Sequence, residues 1–275
     1  ANGVIVVTTK NGKRNGFNIS YQHTSTVSLR PCYKDFNLLN SKERVRLSQQ
    51  IYDEGLGNMG SVGLEHLLGL YASGNISKTE LALRTKEVEE MNTDWFKLLF
   101  RNAYSQTHNL SISGGTDKTD YYVSLTYNGE DGVDKVSDYE QFGGLMKFNA
   151  EMFRGVKLGT TLQVGRRDRE SYHASVDPFS YAVRTARTIP VYDEYGNRFF
   201  SNSENRIGDF NILHELENTH KESTQTDIKA IVNLSVDLYK GLKYKGLYSY
   251  SSSNSSSIDY ATEQSAYIAQ VRGYG

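Results

Sequence analysis

Few side chains in this 275-residue chain are spaced for bond chemistry. His66 follows Glu65, but no second histidine stands at the spacing of a helical zinc site. The charge cluster of Glu87, Glu89 and Glu90 is typical of a solvated helix face rather than of a general-acid pair. We therefore expect no enzyme active site, no metal site and no cofactor.

Other simple kinds of site are also disfavoured. Four further histidines lie outside any His-Glu-x-x-His arrangement, namely His108, His173, His214 and His220. Gly114-Gly115 lies between two strand-like segments, so it does not form a phosphate loop ahead of a helix. The single cysteine, Cys32, excludes an internal disulfide framework and is expected to be a small filler residue. With 31 basic and 32 acidic side chains, nothing indicates a nucleic-acid partner.

Aromatic side chains are the remaining candidates for ligand contact. A flat ring can cover the apolar face of a sugar, and the candidate substrate-binding residues lie in one long loop: Tyr172, Phe179, Tyr181, Tyr192 and Tyr195. Plain packing within the loop explains these rings equally well. Aromatics within strands or at their ends, such as Tyr121 and Tyr244, are typical of the interfacial girdle of a membrane barrel.

Composition and periodicity predict a β-rich chain. Only 37% of the residues are hydrophobic, yet there are 20 Tyr and 24 Gly against 3 Pro. Apolar and polar residues alternate over seven segments, the longer of which reach the roughly 9 to 11 residues of a tilted membrane strand. The segments are Phe17 to Leu29, His108 to Gly114, Tyr121 to Asn128, Gln141 to Met152, Val156 to Val164, Ile228 to Leu238 and Leu242 to Tyr250.

The links between these segments are sorted by length. Short, turn-rich links at 114–119, 154–155 and 240–241 alternate with long ones at about 30–107, 129–140 and about 166–226. Short turns at one end and long loops at the other are the layout of outer-membrane barrels. The sequence therefore predicts an all-β fold, a partial transmembrane antiparallel β-barrel of about seven strands.

The first long link is predicted to hold short accessory helices. Two residue pairs have capping-box spacing: Asn40 with Glu43, and Ser77 with Glu80. They predict helices at roughly 41–53 and 78–91. The link at 166–226, rich in Tyr, Asn, Asp and Gly, is predicted to be an irregular surface loop.

Three stretches resemble the SusC/RagA-like family of TonB-dependent outer-membrane transporters. Ala1 to Gly12, with its Ala-Asn-Gly-Val and Thr-Thr-Lys runs, is similar to the family's plug-terminal strand. Asp94 to Leu125, with His-Asn-Leu-Ser-Ile-Ser-Gly-Gly, is similar to its second barrel hairpin, and Asp177 to Asn197 to a loop after its fifth strand. Together they span most of the chain in the family's order.

The resemblance implies a division of the chain. Residues 1–15 would be the C-terminal end of a plug domain, and 16–275 the N-terminal part of a barrel of about 22 strands. The helical insertion would occupy about 30–107 and a long extracellular loop about 166–226. Both ends of the chain are interpreted as truncations, with the energy-coupling segment upstream.

The resemblance also implies a function without bond chemistry. The parent protein would import a nutrient, an oligosaccharide or a peptide, across the outer membrane of a Gram-negative bacterium. Its partners would be the TonB complex, a SusD-like surface lipoprotein acting as a lid, and outer-membrane lipid.

Two alternatives stay open at the level of sequence. In a soluble all-β carbohydrate-binding module, the apolar strand faces would pack against one another instead of facing lipid. A structural or adhesin barrel would face lipid but would need no plug and no coupling to TonB.

Overall fold

The computed structural model describes residue 12 and residues 15–56, 62–202 and 209–273. Seven long strands form one antiparallel sheet in the order β1-β2-β3-β4-β5-β8-β9. They are β1 (Gly16–Ser28), β2 (Ala103–Gly115), β3 (Thr119–Asp131), β4 (Asp138–Phe153), β5 (Val156–Ser171), β8 (Thr219–Tyr239) and β9 (Leu242–Ala261). Two short strands, β6 (Ser201–Asn202) and β7 (Asp209–Phe210), pair separately. The predicted all-β fold with seven barrel strands is confirmed.

Several strands run further than the alternating segments that predicted them. β8 begins at Thr219, nine residues before Ile228, and stays paired with β9 throughout. Both of its faces are polar in that extension. Backbone hydrogen bonds between strands do not depend on apolar side chains. The strands therefore stay paired beyond the segment in which apolar and polar residues alternate.

Residues directly opposite each other in neighbouring strands share a face of the sheet, so the register sorts every side chain. One row runs across all seven strands as Ile19, Ile112, Val123, Met146, Leu162, Ala230 and Tyr250. We call the side to which this row belongs the apolar face. A row of the opposite side, the polar face, reads Gln22, Asn109, Thr126, Gly143, Gly165, Asp227 and Ser253.

No second sheet covers the apolar face within the described ranges. Phe17 is 67% exposed, Leu125 57% and Tyr248 68%, although they lie on strands at the two edges and in the interior of the sheet. A soluble sandwich buries such side chains against a facing sheet. This single layer has the arrangement of a barrel wall, with one apolar and one polar side.

Among the described residues, seven short α-helices lie outside the sheet. They are α1 (Ser41–Asp53), α2 (Gly63–Ala72), α3 (Lys78–Met91), α4 (Trp95–Leu99), α5 (Pro178–Arg184), α6 (Ile212–Asn218) and α7 (Ala266–Arg272). The predicted helices at 41–53 and 78–91 are confirmed as α1 and α3. In α1 the Asn40 side chain accepts from the Glu43 N–H at 2.9 Å and the Glu43 carboxylate accepts from the Asn40 N–H at 2.9 Å.

None of the helices in the described part of the chain is long and apolar enough to cross a membrane.

The long links lie at one end of the sheet and the short links at the other, because consecutive strands are antiparallel neighbours. We call the described residues among 29–102, 132–137, 172–218 and 262–272 the loop cap. Its core joins Trp95, Phe96 and Leu99 of the first link to Val176 and Ile212 of the link after β5. The prediction of an irregular surface loop at 166–226 is therefore wrong in part. That link carries two helices and a short hairpin, because it buries apolar side chains against the first link.

Candidate functional site

Two surfaces could meet a ligand: the polar face of the sheet and the loop cap above it. On the polar face of β5, β8 and β9, Arg167 is the centre of a side-chain network. Its guanidinium lies 3.3 Å from the Asp227 carboxylate and donates to Gln225 Oε1 at 3.2 Å. Asp227 also accepts from Ser253 Oγ at 2.7 Å and from Gln225 Nε2 at 3.1 Å. These bonds hold the Arg167 side chain in one place along the wall.

One row closer to the loop cap, a second arginine lies over an aromatic ring. The Arg169 guanidinium carbon is 5.8 Å from the centroid of Tyr139, directly across the strand pair β4–β5. The Tyr139 hydroxyl donates to Gln141 Oε1 at 2.8 Å, and Asn128 donates to the same oxygen at 3.2 Å. Cationic, amide and hydroxyl groups thus line the upper polar face.

Near the short links, the polar face carries buried charge. Asp120 and Lys147 are both buried, and Asn149 donates to Asp120 Oδ1 at 2.7 Å. A cavity of about 540 Å³ opens beside Asp120, with Lys157 and Lys245 in its lining. Buried charged groups need hydrogen-bonding or charged neighbours, and Asn149 is such a neighbour for Asp120.

The predicted loop aromatics divide into two groups. Tyr181 lies in the cap core, with its ring edge-on to Trp95 at 5.2 Å between centroids and tilted against Phe210 at 5.8 Å. Phe179 lies at the border of that core, 48% exposed and 5.8 Å from Phe36. For both rings, the contacts are those of loop packing.

The other three predicted residues reach solvent to different degrees. Tyr172 is half-buried, and burial raises the pKa of its hydroxyl. Tyr192 is 55% exposed and lies just before a turn closed by the Asp193 side chain, and Tyr195 is 81% exposed and lies within that turn. A hydrogen bond to the neighbouring carboxylate Glu194 raises the pKa of the Tyr195 hydroxyl. The structure does not bring the five predicted rings together into one site.

Apart from one pair, the histidines are dispersed as well. His23 and His108 lie directly opposite on the apolar face, 4.4 Å apart between ring centroids, and Tyr21 bonds to His108 Nδ1 at 2.7 Å. His173 lies in the cap, 3.4 Å from Asp259. Within the described ranges, no group of three or more His, Cys, Asp or Glu side chains could hold a metal ion.

Sequence reasoning did not single out the charged residues of the polar face. The signal was present, since Arg167, Arg169 and Asp227 alternate with residues of the other side. Only the pairing of β5 with β8 shows that Arg167 faces Gln225, which is 58 positions away.

Comparisons with curated proteins and with solved structures agree with this geometry. The chain is 29% identical over 143 residues to the TonB-dependent receptor SusC of Bacteroides thetaiotaomicron, covering 52% of this chain. It is 23% identical over 269 residues to the TonB-dependent receptor P3 of Formosa agariphila, covering 92% of this chain. The matched parts are 11% and 23% of those proteins. No family model matches.

Among solved structures, the chain is similar to the RagAB peptide importer in its closed-closed state, with a TM-score of 0.63 and 18% identity. The match covers 90% of this chain and 29% of the RagAB chain. At that identity the likeness concerns the fold. The resemblance to SusC/RagA-like TonB-dependent receptors, predicted from the sequence, is confirmed by these matches.

Proposed function

We propose that this chain is the N-terminal barrel part of an outer-membrane transporter that imports a nutrient with energy supplied through TonB. The observation that carries the proposal is an apolar face across the seven strands that no second sheet of described residues covers, with a polar face behind it. In a bilayer such a wall places its apolar side against acyl chains and its polar side toward a lumen. The matched relatives named TonB-dependent receptors support the same function.

The division of the chain follows from that proposal. Residues 16–275 would be barrel wall, helical insertion and extracellular loops, with the loop cap outside the cell. Residues 1–15 would end the plug domain, and apart from Gly12 and Asn15 they lie outside the described residues. Gly12 supports a tight junction there, since a Cβ at Gly12 would come within 2.4 Å of the Tyr121 carbonyl oxygen.

The partners belong to the same proposal. TonB would act through a segment that precedes the barrel, because the outer membrane has no energy source of its own. A SusD-like lipoprotein would cover the loop cap, and the imported nutrient would be an oligosaccharide or a peptide. Exposed cap aromatics such as Tyr192 and Tyr195 would then lie at the extracellular mouth.

The test is uptake by cells that carry the intact parent protein. We expect growth on the transported nutrient to be lost when TonB is deleted and restored when it is returned, while the protein stays in the outer-membrane fraction. Unchanged uptake without TonB would contradict active transport and favour a passive or structural barrel. Recovery of the parent protein in soluble fractions would favour the soluble binding module instead.

A further inference from the structure

Two glycines face each other in the middle of the polar face. Gly143 of β4 and Gly165 of β5 are direct partners in the antiparallel register. Glycine inside a strand lowers stability by roughly 0.5–1 kcal/mol relative to alanine, so opposed glycines on neighbouring strands require a physical reason.

The wall itself supplies no such reason. A Cβ on Gly143 would meet only Thr126 Cβ, at 3.7 Å, and one on Gly165 only the Phe142 carbonyl oxygen, at 3.8 Å. Both are ordinary contact distances, and neither residue has a positive φ. At Gly159 on the same face, by contrast, a Cβ would approach Asn149 Oδ1 to 2.9 Å. Glycine inside a strand often marks a bulge, a bend, or a place where a ligand or another backbone comes close. The register shift between β4 and β5 lies at Glu151 and Phe153, so Gly143 and Gly165 are not part of a bulge.

The two glycines form the floor of a shallow recess, which we call the Gly143–Gly165 recess. Toward the loop cap its border is Gln141 and Arg167, and toward the short links it is Leu145 and Gln163. Thr126 and Asp227 lie at its sides in the same row. Hydroxyl and amide groups such as these both donate and accept hydrogen bonds, as the hydroxyls of a sugar do.

Two cations that have no carboxylate partner among the described residues flank the recess. Charged side chains of the polar face in the rows from Tyr139 to Leu145 are Glu130, Arg167, Arg169, Asp227 and Lys229. Asp227 pairs with Arg167. Within the described ranges neither Arg169 nor Lys229 lies within salt-bridge distance of a carboxylate, and Glu130 stands two strands away from Arg169. Positive charge therefore lies on both sides of the two glycines, with Arg169 toward the loop cap and Lys229 toward the short links.

We propose that the Gly143–Gly165 recess is a binding subsite for an acidic oligosaccharide, whose carboxylate or sulfate groups pair with Arg169 and Lys229. Within two rows of the recess on β3, β4, β5 and β8, the apolar groups are Leu145, Ile231 and the rings of Tyr122 and Tyr139. A flat ring can also cover the apolar face of a sugar, so this largely polar surface suits an oligosaccharide better than a peptide. The inference rests on the proposed function, since it takes the polar face to line a transport lumen.

The experiment uses the full-length parent protein, purified in detergent, and titration calorimetry. The probes are an oligogalacturonate for the carboxylate, a carrageenan oligosaccharide for the sulfate, and neutral maltoheptaose. We expect one acidic probe to bind and maltoheptaose to bind at least tenfold more weakly. Higher salt should weaken binding of the acidic probe, because salt screens ion pairs in an open lumen. The probe that binds identifies the anionic group.

Substitutions assign that binding to the recess. Arg169→Gln and Lys229→Gln should each weaken binding of the acidic probe at least tenfold. Gly165→Val should also weaken that binding at least tenfold, without changing the charge of the recess. The matched control is Arg166→Gln, whose side chain lies on the opposite face and pairs with Asp168 at 2.8 Å. It should leave binding unchanged.

Several results would overturn the inference. They are binding of neither acidic oligosaccharide, equal binding of maltoheptaose, or an equal effect of Arg166→Gln. Binding of an oligoglutamate peptide that depends on Arg169, in place of the oligosaccharides, would assign the recess to acidic peptides. Because binding in detergent needs no TonB, uptake that is independent of TonB would contradict the proposed function while leaving this result intact.

Discussion

Trp95 joins the two long links of the loop cap through a single side chain. It is 1% exposed, its indole N–H donates to the Ala186 carbonyl at 3.3 Å, and its ring meets the edge of Tyr181. Arg187 adds a second connection, with its guanidinium carbon 4.2 Å from the Tyr33 ring centroid. The fold of the link after β5 thus depends on residues of the first link, 91 positions earlier for Trp95 and Ala186 and 154 positions earlier for Tyr33 and Arg187.

Removal of this ring should loosen the cap. Trp95→Ala is expected to destabilise it by about 3–5 kcal/mol, the usual cost of deleting a buried large aromatic side chain. Hydrogen exchange in the intact protein should show faster exchange over residues 172–202. Tyr195→Ala, at an 81% exposed position, is the matched control and should leave that exchange unchanged. Equal effects of the two substitutions would show that Trp95 is not a support of the cap.

At the scale of elements, α6 holds α7 through a buried carboxylate. Glu215 is 1% exposed, and its oxygens accept from the Ala266 N–H at 2.6 Å and the Tyr267 N–H at 3.4 Å. A carboxylate at the start of a helix is stabilised by the free N–H groups and by the helix dipole. The Ser265 side chain is the N-cap of α7 and accepts from the Ile268 N–H at 3.2 Å.

We expect Glu215→Ala to release α7 from the loop cap. The first-turn amides of α7 would lose their acceptor, and an unmet buried donor costs about 1–3 kcal/mol. Hydrogen exchange over residues 265–272 should rise, with exchange in β8 and β9 unaltered. Glu217→Ala, on the same helix but with its side chain 62% exposed, serves as the control. A rise of equal size in that control would contradict the role of Glu215.

At the scale of the whole molecule, the sheet should respond to charge according to the face that receives it. Leu162 and Thr161 are neighbours in β5 and belong to the apolar and polar faces respectively. Leu162→Lys should cost about 2–4 kcal/mol, the penalty of lysine near the middle of a bilayer. Thr161→Lys should cost much less, because its side chain faces water.

Folding of the full-length protein into lipid vesicles in urea measures this difference. The urea concentration at the midpoint of unfolding should fall for Leu162→Lys and stay close to the parental value for Thr161→Lys. The same midpoint for both variants would contradict a lipid-facing apolar side, and a larger fall for Thr161→Lys would reverse the assignment of the faces.

Local patterns in the sequence determined the strands, the short turns and the two capped helices. The alternation from Ile228 to Leu238 relates each residue to its near neighbours, and the pair Asn40 and Glu43 is three positions apart. Such patterns can be recognised without the tertiary structure. The family resemblance was legible for a similar reason, since it depends on short runs in a certain order.

The tertiary structure decided everything that depends on distant residues meeting. Trp95 and Tyr181 are 86 positions apart, and their contact turned a predicted ligand ring into part of the cap core. The Gly143–Gly165 recess exists only through the register of β4 and β5, in which a shift of one residue would move Arg167 to the other face. Strand pairing and loop packing depend on the free energy of the whole fold, so they cannot be predicted from any short stretch of the sequence.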